Sequence, residues 1–383
     1  MTASWSERPL RDFLVPARST VTIGDNVEYK QLTVALHGRG VRLRQTVLGR
    51  AIETKNQYVA QAGRFIYSRI DARNGAMGIV PESLDGAVIT SDFPTFDFDL
   101  TKVEPRFVEY LTKTAAFEEV CRTPSKGITN RKRLKEPEFL AIRVLLPPLS
   151  DQRRIAARID QVAARIAEAK RLTSDIEDEE IALLLRRVDE ICEGVGCAPM
   201  HKIAPVVRRN VDIQPDAWYP ELGIRSFGKG TFHKDPIKGD ELGTKRIYRI
   251  EPGDLLFSNV FSWEGAIAVV QPEDAGRFGS HRFITCVPDA EHATAEFLCY
   301  YFLTDRGLAD IRAASPGAAG RNKTLGVTKL EAIEVPLPPI PVQQEFGELL
   351  KRVRAANVIH AQTSAALDRL MPALLDQAFR GEL

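Results

Sequence analysis

At 383 residues, 44% of them apolar, the chain exceeds one typical domain and holds enough apolar side chains for ordinary buried cores. Its 52 Lys and Arg nearly balance its 51 Asp and Glu, and the formal net charge of +1 excludes a uniformly basic surface while allowing charge to gather on one face. No apolar run reaches the roughly 18 residues of a membrane span, and the start MTASWSERPL lacks a basic stretch followed by an apolar one.

The five cysteines include no C-x-x-C pair, which fits neither a zinc knuckle nor a disulfide framework, so a soluble protein of the reducing cytoplasm is expected. In chain order, the first elements are short apolar runs bounded by Gly, Pro and Asp, such as residues 64–70, which predict strands and turns. A helix is expected at residues 106–122, followed by the basic loop SKGITNRKR at 125–133. The stretch VLLPPLSDQRRI, residues 144–155, then stops a strand at two prolines and opens a helix, with Ser150 at a cap or first-turn position. Beyond it Ile155, Ile159, Val162, Ile166, Ala169, Thr173, Ile176 and Leu183 recur at 4,3 spacing, the seam of a coiled coil.

The second half repeats the first. Pro147-Pro148 aligns with Pro338-Pro339 at a shift of 338 − 147 = 191, and the same offset relates Ala141 to Ala332, Ile142 to Ile333 and Gln152 to Gln343. Upstream the offset is 190, laying YKQLTVALHGRG (29–40) on YPELGIRSFGKG (219–230) and AGRFIYSRIDARNGAMGIV (62–80) on PGDLLFSNVFSWEGAIAVV (252–270). A second strand is therefore expected at 255–260 and a second helix at 295–312. The second seam runs through Phe346, Leu350, Val353, Asn357, His360, Ser364, Leu367, Met371 and Leu374, opens at Pro341, and carries Pro372 where a kink is predicted. Asn357, His360 and Ser364 weaken such a seam but fix its register.

Helices of roughly 40 residues span about 60 Å, too far to fold back over one domain. Two equal seams in duplicated halves pair most simply with each other. The expected fold is α+β: two tandem mixed α/β domains, residues 1–149 and 194–339, each followed by a long spacer helix, 150–193 and 340–383. The helices pair as an antiparallel coiled coil with pseudo-twofold symmetry.

The helix openings LPPLSDQRRIAARID and LPPIPVQQEFGELLKR, with the ending LMPALLDQAFRGEL, resemble those of type I restriction-modification specificity subunits, in the order variable domain, helix, variable domain, helix. The resemblance implies a chain with no catalysis of its own. Each globular part would be a target recognition domain reading half of a split, non-palindromic DNA site, the first generally reading the 5′ half, with the coiled coil setting the gap. Two modification subunits, methylating adenine with S-adenosylmethionine, would dock on the helices, and restriction subunits using ATP and Mg would join them. The polar second seam and Pro341 in place of Ser150 are the departures from the pattern.

The chemistry of the sequence agrees. The proline pairs lack the acid and aromatic flanks of an amino-methylating tetrapeptide, GAAGRNKTLG (317–326) fails the spacing of an ATP loop, and the six histidines form no ligand cluster. Base reading needs Arg, Lys, Asn or Gln at groove edges. Candidates in the first half are Arg39, Arg42, Arg44, Arg69, Arg73, Asn74, Lys126, Thr129, Asn130, Arg131, Lys132 and Arg133. In the second they are Lys229, His233, Lys234, Asn259, Trp263, Arg321, Asn322 and Lys323, with Trp263 also suited to packing. The competing expectation is a duplicated coiled-coil adaptor that holds partner proteins without reading DNA. A hydrolase built on Asp97 and Asp99 lacks a partnered base.

Overall fold

The structure, a computed structural model, describes residues 5–122, 133–317 and 323–383. The chain forms two compact units, Met1–Arg171 with Thr363–Leu383, and Leu172–Gln362, so each unit includes part of both long helices.

In the first unit a five-stranded sheet runs in the order Ser19–Thr22, Asn56–Val59, Val88–Ile89, Glu28–Val34, Val41–Leu48. A four-stranded sheet holds Leu14–Pro16, Thr95–Phe98, Phe65–Tyr67 and Met77–Ile79. Phe65, Tyr67 and Phe96 are fully buried against Phe139, whose ring stacks on Tyr67 with centroids 4.2 Å apart. In the second unit the central strand Leu255–Ser258 lies between Ile267–Val269 and Phe283–Cys286. The predicted strands at 64–70 and 255–260 are thus shorter than expected, because the chain turns away once its buried run ends.

The predicted helix at 106–122 is two helices, Pro105–Leu111 and Ala115–Arg122, and that at 295–312 is likewise Ala295–Tyr301 and Asp305–Ala313. Threonine is the cause in both copies. Thr114 Oγ1 accepts from Phe117 N at 3.2 Å and Thr304 Oγ1 from Gly307 N at 3.2 Å, each capping a new helix start.

The proline pairs end strands that close each unit on itself. Arg143–Leu146 pairs antiparallel with the N-terminal strand Ser6–Pro9, and Glu334–Pro336 with Cys197–Pro199. The long helices, Leu149–Ile191 and Ile340–Phe379, then start directly: Pro148 O accepts from Asp151 N at 2.9 Å and Pro339 O from Val342 N at 2.9 Å. The second proline of each pair therefore stands where Ser150 or Pro341 was expected to cap, since its carbonyl is already in place for the first helical bond.

One buried glutamine fastens each helix to its globular part. Gln152 Nε2 donates to Pro147 O at 2.9 Å and Lys102 O at 3.2 Å, while its Oε1 accepts from Glu104 N at 3.0 Å. Gln343 does the same with Pro338 O at 2.8 Å, His292 O at 3.1 Å and Thr294 N at 2.9 Å. A second tie, in the first unit, is Asp160, bonded by Arg106 and Tyr110. Burial alone would raise that carboxyl, and the hydrogen bonds from Arg106 and Tyr110, together with the charges of Arg106 and Lys113, outweigh it and hold it below the ordinary carboxylate range.

The helices pair antiparallel in both units. In the first, Ile155 and Ile159 share a core with Leu375 and Ala378, and Lys170 is ion-paired with Asp368. In the second, Leu184 and Val188 share a core with Phe346 and Leu350. Val162, Ile166, Val353 and Leu367 lie half-buried on the same seam. Ile176 and Leu183, expected on the seam, are exposed at 43% and 58%, and Leu184 takes the inner place. A straight helix of 3.6 residues per turn drifts about 20° per heptad, which carries a strict repeat off the contact line. The second helix continues through Pro372 without interruption.

Glu180 Oε2, Asn357 Oδ1 and His360 Nδ1 are buried without a hydrogen-bond partner among the described residues. Because a buried orphan of this kind costs about 1–3 kcal/mol, Asn357→Leu is expected to stabilise the second unit by roughly that amount in a denaturant melt. A loss of stability instead would show that the amide is satisfied in solution.

Candidate nucleic-acid interface

The candidate residues fall on one backbone frame that is built twice. In the first unit the hairpin of Glu28–Val34 and Val41–Leu48 turns through residues 35–40, closed by Ala35 N donating to Gly40 O at 2.9 Å. Arg39 is exposed in that turn, and Arg42 and Arg44 are exposed on the returning strand. Gln31 pairs with Gln45 and Leu32 with Leu43, so Arg44 is the extra residue of a bulge, a device that re-aims a side chain. In the second unit Leu222–Ile224 and Thr231–His233 form the matching hairpin, with Arg225 N donating to Gly230 O at 2.9 Å and Lys229 exposed at the turn.

Each hairpin turn docks on the turn that follows the central strand. His37 N donates to Asn74 O at 2.7 Å and Gly38 N to Gly75 O at 3.1 Å; Phe227 N donates to Glu264 O at 2.8 Å and Gly228 N to Gly265 O at 2.9 Å. His37 and Phe227 take positive φ of 58° and 62°, an uncommon conformation for side chains of that size, in both copies. Gly75 has φ of 71°, and a Cβ there would lie 3.1 Å from Gly38 N in the backbone of the docked turn, so glycine suits the meeting of the turns. The neighbouring helix braces the same place: Arg122 Nε donates to Arg73 O at 3.3 Å and Arg312 Nε to Trp263 O at 3.4 Å. Sequence reasoning missed these two arginines, although the 190 offset makes them identical partners.

Arg39, Arg73 and Asn74 are thus gathered at one corner of the first unit, and Lys229 and Trp263 at the same corner of the second. Trp263 is half-buried, its Nε1 donating to Val260 O at 2.9 Å, and Lys323 Nζ stands 5.0 Å over its ring. That geometry makes Trp263 a packed platform for a cation. His233 is held apart, its Nε2 2.9 Å from the buried Asp274 Oδ1, and Lys234 is half-buried with its N donating to Glu221 O at 3.1 Å.

A separate cluster surrounds Arg69. Its Nη2 lies 3.5 Å from Glu136, which is also tightly paired with Arg18, while Arg133 Nη2 donates to Asp92 Oδ2 at 3.1 Å. Arg18 escaped sequence reasoning because no local motif marks it. Lys126, Thr129, Asn130, Arg131, Lys132, Arg321 and Asn322 lie outside the described residues. Four cysteines, Cys121, Cys192, Cys286 and Cys299, are buried, and burial pushes their thiols up to about 12, leaving them protonated and inert at neutral pH.

No helix among the described residues is long and apolar enough to cross a membrane. The chain is 23% identical over 316 residues to the type I restriction enzyme StySPI specificity subunit of Salmonella potsdam, covering 73% of this chain and 66% of that protein. It is also 23% identical over 313 residues to the EcoKI specificity subunit of Escherichia coli (strain K12), covering 72% and 65%. It therefore spans just under two thirds of those relatives. The fold is similar to that of the HsdS subunit from Thermoanaerobacter tengcongensis, with a TM-score of 0.55, 18% identity, and 99% of this chain and 97% of that chain covered. A chain from a solved type I R-M system assembly gives a TM-score of 0.66 at 17% identity, covering 99% of this chain and 98% of that chain. Residues 5–178 and 217–369 match the type I restriction modification DNA specificity domain, and the chain belongs to that family.

Proposed function

We propose that this chain is the non-catalytic specificity subunit of a type I restriction-modification complex, reading a bipartite, non-palindromic DNA site. The observation that carries this reading is the duplicated corner. The same pair of docked turns recurs in both units, held by the same backbone hydrogen bonds, while its side chains differ: His37, Arg39, Arg73 and Asn74 in one, Phe227, Lys229, Trp263 and Glu264 in the other. A constant frame with variable side chains is what two modules need to read two unrelated half-sites. The paired helices would then set the distance between half-sites, whose centres are expected about 10 base pairs apart.

Two adenine methyltransferase subunits would dock on the helices, where Ile176, Ile181, Leu183, Val358, Ile359 and Leu370 leave apolar surface exposed. S-adenosylmethionine belongs to those subunits, and ATP with Mg to the restriction subunits that join them. The test is a methylome comparison of cells with and without the gene. Loss of a single split methyladenine motif is the expected result, and an unchanged methylome would remove the reading in favour of a scaffolding role.

A further inference from the structure

Arg69 and Asn259 occupy the same position of the two copies, since 69 + 190 = 259. Each follows a buried serine at the end of the central strand, Ser68 or Ser258. Each is fixed on both sides of its backbone: Arg69 N donates to Asp92 O at 2.9 Å and its O accepts from Leu134 N at 2.8 Å, while Asn259 N donates to Arg282 O at 2.8 Å and its O accepts from Leu325 N at 2.7 Å. Both side chains are half-buried, and both carry an orphan: Arg69 Nε and Asn259 Oδ1 have no hydrogen-bond partner among the described residues.

The other such orphans, Glu180, Asn357 and His360, lie along the long helices, whereas these two fall at the same place in both copies, which marks a position set up for an outside partner. The Arg69 guanidinium lies 3.5 Å from Glu136, an acceptor already taken by Arg18, reaches the Tyr67 hydroxyl, and borders a recess of about 40 Å³ with Tyr58, Ser91, Phe93 and Thr95. A change of χ3 in Arg69 or of χ2 in Asn259 would turn the orphan toward an outside partner while the backbone stays fixed. The residue types also fit edges rather than charge alone: the arginine fork matches guanine O6 and N7, and the asparagine amide matches adenine N6 and N7.

We propose that this position determines specificity in each unit, Arg69 reading a guanine edge in one half-site and Asn259 an adenine edge in the other. The proposal rests on the DNA-reading function above. It is tested with Arg69→Lys, Arg69→Ala and Asn259→Ala in the assembled complex, scoring the methylated motif base by base alongside a thermal melt. Arg69→Ala and Arg69→Lys should both relax one position of a single half-site by about 10-fold or more, because lysine keeps the charge but not the fork. Asn259→Ala should relax one position of the other half-site only. Rescue by lysine with uniform weakening across sequences would identify a phosphate contact and overturn the proposal, as would a wild-type motif from variants that melt normally. Variants that melt early and lose both half-sites together would assign the position to folding, again overturning it. A wild-type complex with no chain-dependent motif would instead defeat the DNA-reading function itself.

Discussion

Removing one heptad from each long helix, residues 173–179 and 359–365, should shorten the preferred spacer by about 3 base pairs, from 1.5 Å per helical residue and 3.4 Å per base pair, and leave both half-sites unchanged. The segments are matched because the helices run antiparallel in each unit and Lys170 is paired with Asp368, which sets the register. They also avoid the apolar ends, where Ile155 and Ile159 pack near Leu375 and Leu184 and Val188 near Phe346. A whole heptad keeps the seam facing its partner, so the pairing survives while its length changes. Motif sequencing of the methylated genome reads the result. An unchanged spacer would show that the helices do not measure distance, and altered half-sites would show that they take part in base reading.

The second large effect is expected at the junctions. Gln152→Leu keeps the side-chain volume and deprives Pro147 O, Lys102 O and Glu104 N of their partner in a place that is 1% exposed. Stranding these groups should cost the first unit about 2–4 kcal/mol, and Gln343→Leu should cost the second unit a similar amount. Hydrogen exchange locates the damage: protection should fall at the amide of Glu104 in one variant and of Thr294 in the other. Unchanged protection and melting in both would show that the prolines alone hold the helices in place. Because these junctions aim the helices, the same variants should tolerate a wider range of spacers than the parent chain.

Much of the architecture was legible because it was written twice. The offsets of 190 and 191 exposed the duplication, and the 4,3 spacing exposed the seam, since both are periodicities of the covalent sequence. The split of the helix at Thr114 was not legible: a threonine is tolerated inside a helix, and only neighbouring packing decides that it caps a new one. The drift that exposes Leu183 and buries Leu184 was hidden for a similar reason, since spacing defines a stripe but the partner helix decides which residues of the stripe it covers.

Of the candidate interface, the sequence by itself picked out Arg39, Arg73 and Asn74 and their counterparts Lys229 and Trp263, because polar donors beside glycines are a local sequence signal. The sequence also determined that there are two copies and that each ends in a helix launched by a proline pair. Only the tertiary structure decided that the hairpin turn docks on the turn after the central strand, that Arg122 and Arg312 brace that contact, and that Arg69 and Asn259 each keep an orphaned polar atom. The physical reason is that periodicity and residue type are local properties of the chain. Which hydrogen bonds are completed and which are left open depends on residues far apart in sequence arriving at one place.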